Sequence, residues 1–157
     1  MLVLLAQVQD RYPEVGISRL PTWPYVRGEV MVLGNHLYST DELTANPGET
    51  IATGKYAVFD RHDPVHGSLQ PDEAATVFVP LAVTRPMEHP ALLVSTAFSV
   101  DWKAYNSACR MEPVRATVGM ACGVQLALAA ARDVATHDIS YADIRTELLA
   151  LGHVTER

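Results

Sequence analysis

With 157 residues, 48% of them hydrophobic and 19% charged, the chain has the length of one ordinary domain and enough apolar side chain to bury a core, which excludes global disorder. Eighteen Asp and Glu against twelve Lys and Arg give a net charge of −6. No excess of cations exists to displace counterions from a phosphate backbone, so nucleic acid is not an expected partner.

The amino terminus, Met1-Leu-Val-Leu-Leu-Ala6, lacks a basic flank, and its apolar stretch is shorter than the hydrophobic core of a secretory signal, so a cytoplasmic location is expected. Residues 2–12 read as a short helix ended by Pro13 and Gly16, followed by a proline-rich turn through Pro21 and Pro24. Residues 29–33 and 37–39 read as short strands joined by a tight turn at Gly34-Asn35. A polar loop over 41–54 is centred on Asn46-Pro47-Gly48, strand character returns over 56–59, and a second polar loop covers 60–73. Residues 77–83 are strand-like but contain Pro80, which cannot donate to a ladder and points to an edge or a bulge. The unbroken apolar run Ala91-Leu-Leu-Val94 is the pattern of a strand covered on both faces, the deepest of the chain.

The next long element is a helix over 113–132, in which Val114, Ala116, Val118, Met120, Ala121, Val124, Leu126, Ala127 and Leu128 surround the axis instead of forming one stripe. Such a helix is expected to be buried nearly all round, and the chain carries too few other amphipathic elements to supply that cover. Its weakly polar run, 116–131, is sixteen residues, short of the ~20 that span a bilayer, so no membrane partner is expected. Gly119 and Gly123 share one face and permit close approach by a sheet or another chain. The last helix is signposted by a capping box at Ser140 and Asp143, a hydrophobic staple of Ile139 and Ile144, and Gly152 beyond its final turn, with Ile144, Leu148 and Leu151 on one face.

Cys109 and Cys122 stand thirteen apart, outside any C-x-x-C arrangement, and form neither a disulfide framework nor a zinc site, which suits a reducing compartment. Cys122, amid alanines, reads as a small core residue. Asp60, His62, Asp63 and His66 combine imidazole and carboxylate, but Pro64 interrupts them and they read as a solvated loop; no metal is expected. His36, His89, His137 and His153 are scattered and expected to be exposed.

Taken as a string, the carboxyl-terminal third runs from Ala91-Leu-Leu-Val94 through Ser99, Ala104, Ser107, Arg110-Met-Glu-Pro113, Gly119 and Gly123 to Ile139-Ser-Tyr141, Leu148-Leu149 and Gly152. In order and spacing over about sixty residues it resembles the closing segment of the FAD-dependent oxidoreductases of the glutathione-reductase-like superfamily. A thinner resemblance runs through Pro21 to Arg27, Gly34, Tyr38 to Asp41, Ile51-Ala52, Gly54, Tyr56, Asp60, His62 and Pro80. It matches the family's second half. The first half, which grips adenine and pyrophosphate, has no counterpart: the nine glycines stand at 16, 28, 34, 48, 54, 67, 119, 123 and 152, no two of them two apart, so no G-x-G-x-x-G fingerprint exists. Two further departures are Gly28-Glu-Val-Met31 after Arg27, where the family has further arginines, and Asp101-Trp102, where it often has Ser-His.

The resemblance implies an α/β fold, or α+β as a fragment: a β-rich substrate-side region over 1–90, then over 91–157 the last strand and helix of an FAD-binding fold and a terminal surface helix. It implies FAD held mostly by a partner, either a larger flavin-binding subunit or an amino-terminal domain, with a small-molecule substrate. Ser99, Ser107, Arg110, Glu112, Pro113 and Gly119 are the implied flavin neighbours, and His62 and Trp102 the substrate-side candidates. Residues of the catalytic step itself are not identifiable. An Arg110–Glu112 or interchain ion pair is the plain structural reading of the same helix start. A non-catalytic interaction module, or a remnant of the fold, is the alternative for the whole chain.

Overall fold

The computed structural model of the chain describes residues 7, 10–14, 31–57 and 74–153. Most of the expected first helix, the proline turn and the loop carrying His62 lie outside that set, although Gln7, Asp10 and Arg11 are helical.

The sheet is a two-stranded antiparallel pair, β1 (Thr50–Ala57) and β2 (Ala74–Pro80), in the register Gly54↔Val77 and Thr53↔Phe78. β1 begins six residues before Tyr56, inside the stretch read as a polar loop. Asn46 explains the boundary: its side-chain oxygen accepts from the Gly48 N–H and the Thr50 hydroxyl, each at 3.0 Å. Gly48 sits at φ +83, and the turn then releases a β-branched run, Thr50, Ile51 and Thr53, into the strand. Pro80 ends β2 opposite a register shift between Thr50 and Ala52, so the expected bulge lies where the ladder lacks a donor. Beyond it the chain turns into a 3-10 helix, Leu81–Thr84, in place of further strand.

Gly34-Asn35 does not close a hairpin. Gly34 bridges Pro86, and Tyr38 bridges Val100. A Cβ at Gly34 would stand 2.9 Å from the carbonyl oxygens of Ala82 and Val83 and 3.1 Å from the Ser99 Cβ, so this glycine serves a close approach of backbones. Nor is 91–94 a deep strand. It follows a turn in which the Leu92 N–H donates to the His89 carbonyl at 3.0 Å, and Leu92 is 49% exposed. An apolar run becomes a buried strand only with neighbours on both sides, and among the described residues no strand lies alongside this one.

Three α-helical segments follow: α1 (Trp102–Ala104), α2 (Glu112–Arg132) and α3 (Tyr141–Ala150). α2 packs on β1, where Gly54 admits it: a Cβ at Gly54 would meet the Val114 Cγ2 at 2.5 Å. Val114, Val118, Ala121, Cys122, Gln125 and Ala129 make its buried face. The expectation of burial all round is corrected: Ala116, Met120, Gly123, Leu126, Ala127 and Ala130 are exposed. At 21 residues, with a mean hydropathy of 1.4 over its most apolar window, α2 is long and apolar enough to cross a membrane by length and composition. The sixteen-residue run did not reach that length.

α3 carries most of the expected signals, the capping box by its Ser140 half. The Ser140 hydroxyl accepts from the Asp143 N–H at 3.2 Å, Ile139 and Ile144 are buried, and Gly152 takes φ +76. Leu151, placed on the inner face by sequence, is 63% exposed, because the helix has ended before it. His153, expected outside, is buried with Nε2 2.9 Å from the Ile51 carbonyl of β1. The described fold is thus mixed α and β around one core, in which Tyr38, Ile51, Val77, Phe98, Val114 and Leu148 meet.

Candidate functional site

The residues singled out by sequence concentrate on the link between Val100 and α2, and Asp101 fixes where that link starts. Its backbone N–H donates to the Tyr38 carbonyl at 2.8 Å. Its carboxylate accepts from the Ala104 N–H at 2.6 Å, as the N-cap of α1, and from the N–H and hydroxyl of Thr40 at 2.6 and 3.0 Å. A serine could cap the helix but has no second oxygen for Thr40.

α1 runs directly into a π-turn, Tyr105–Cys109, closed by the Arg110 N–H donating to the Tyr105 carbonyl at 3.1 Å. Wide turns of this kind recur at functional sites because they displace a side chain from the helical path. Ala108 and Cys109 anchor the turn in the core, leaving Arg110 partly exposed and Glu112 and Pro113 exposed at the start of α2. Met111, the N-cap residue, makes no side-chain cap bond to that start, where the positive end of the helix dipole lies, with Glu112 the acidic group of the first turn.

The structure therefore gathers Ser107, Arg110, Glu112 and Pro113 on one short link, Ser107 being placed by its backbone alone. Trp102 stands at the other end of the same run, 50% exposed. Ser99 is separate: it is fully buried behind Gly34, and its hydroxyl has no hydrogen-bond partner among the described residues. Gly119 lies two turns into α2, where a Cβ would meet nothing among the described residues within 4 Å. His62 lies outside the described residues.

Burial pushes the Cys109 thiol up to about 12, with Asp101 adding to the effect, and the Cys122 thiol up to about 11. Neither supplies a thiolate nucleophile near neutral pH. Burial likewise raises the Tyr38 phenol, whose hydroxyl donates to the Phe78 carbonyl. Arg85 is half-buried, its guanidinium donating to the Ile139 carbonyl at 2.7 Å, and burial lowers its pKa. Among the described residues no trio of His, Cys, Asp or Glu is placed to hold a metal ion.

Sequence reasoning missed Asp101 as a tie. Its signal is an acidic residue one step before a helix, which comparison with the Ser-His pattern at that position obscures. Tyr38 and Gln125 were also missed; the Gln125 amide is buried and donates to the Thr136 carbonyl at 2.7 Å. Nothing in a single string shows which polar residue a tertiary fold encloses.

Comparison with curated proteins gives no match, and neither does comparison with solved structures. A family model described as FAD dependent oxidoreductase matches residues 1–148, nearly the whole chain. The chain belongs to the FAD-dependent oxidoreductase family, whose cofactor is FAD.

Proposed function

We propose that this chain completes the flavin site of an FAD-dependent oxidoreductase together with a partner chain, or an amino-terminal domain, that carries the G-x-G-x-x-G fold. The residues present fit one side of the cofactor and not the other. For the adenine and pyrophosphate half there is no glycine fingerprint anywhere in the sequence. For the flavin half there is a helix start without an N-cap side-chain bond, with Arg110, Glu112 and Pro113 at the surface. In this reading Arg110 and Ser107 lie against the flavin edge and the N–H groups of α2 face its electron-rich side. Ser99 backs the link from the core and Gly119 leaves room on the helix. Residues 91–157 form the cofactor side, and 1–90 the substrate side, with Trp102 and His62 toward a small-molecule substrate. FAD supplies the redox chemistry when bound; the chain's own groups orient it and exclude water.

One observation carries the reading. The outer face of α2 is exposed and, between Arg115 and Arg132, has no charged residue. Cβ atoms at Gly119 and Gly123 would meet nothing within 4 Å among the described residues. Contiguous apolar surface of this kind marks a contact site. Because the stripe is mostly Gly and Ala, it suits a protein surface approaching to backbone distance; an interfacial membrane helix is instead rich in large apolar residues.

The test is to purify the chain alone and after co-expression with a G-x-G-x-x-G polypeptide encoded beside it. The proposal predicts a colourless chain alone and a yellow complex with a flavin spectrum. A stable, colourless monomer under both conditions favours the non-catalytic module.

A further inference from the structure

We draw no further inference here: the strongest candidate, the shallow apolar groove of about 410 Å³ lined by Met31, Val32, Leu33, Pro86, Met87 and His89 among others, is an unpartnered face, and nothing in the structure shows what covers it.

Discussion

Arg110 illustrates how a single residue is positioned by others. The π-turn ends on it, Cys109 is locked in the core before it, and α2 begins two residues later. If its cation lies against the flavin, replacing Arg110 by Ala lowers flavin retention in the assembled complex about tenfold, the scale of one lost charge-assisted contact. Equal retention and turnover in the variant would remove Arg110 from the site. Gly54 acts on the same link from below. An added methyl would press on Val114 Cγ2 at 2.5 Å, and a β-branched side chain on a helix has little rotamer freedom to yield. Gly54→Ala is therefore expected to destabilise the chain by about 1–3 kcal/mol in denaturant unfolding, as overpacking does; an unchanged midpoint would mean that α2 does not seat on β1 as described.

At the scale of elements, α3 was legible in the sequence because its signals are local. Ser140, the staple pair and Gly152 lie within or next to the helix they define, and each occupies the geometry its residue type favours. Three other expectations depended on tertiary neighbours and failed with them. The run 91–94 has strand composition without a strand beside it, Gly34 serves a backbone contact that looks like a turn in sequence, and the outer face of α2 is apolar yet uncovered by the described chain. The candidate stretch could be picked out in the sequence as residues 99–113, but its internal sorting could not: the burial of Ser99, apart from the link, and the Thr40–Asp101 tie are set by residues some sixty positions away.

α3 also has a pH dependence with a definite sign. The Asp143 carboxyl is drawn from its ordinary 3.8 down to about 2, first by its hydrogen bond from Arg132 at 2.7 Å and then by that from Ser140. A carboxyl depressed in the folded state contributes stability above its unfolded pKa and loses it as pH falls through the folded value. Thermal stability should therefore fall between about pH 4 and pH 2, and less steeply in Asp143→Asn. Because both groups are at the surface, salt should diminish the difference. A wild-type slope matched by the variant would assign the acid sensitivity elsewhere.

At the scale of the whole molecule, the described residues form a well-packed inner side and leave an exposed outer one. β1, α2 and α3 enclose a core of their own, whereas α2 presents a bare apolar face over most of its length. The family match over residues 1–148 and the absent glycine fingerprint are reconciled if that face is where the dinucleotide-binding half docks. Gly123→Leu tests this most directly, since a larger side chain there has open space in the chain itself but would stand between α2 and anything seated on it. The account predicts that the variant chain folds with at least wild-type stability, since leucine favours the helix over glycine, and fails to co-purify with the flavin-carrying partner or to retain flavin. A Gly123→Leu chain that assembles into a complex with a full flavin complement would contradict it.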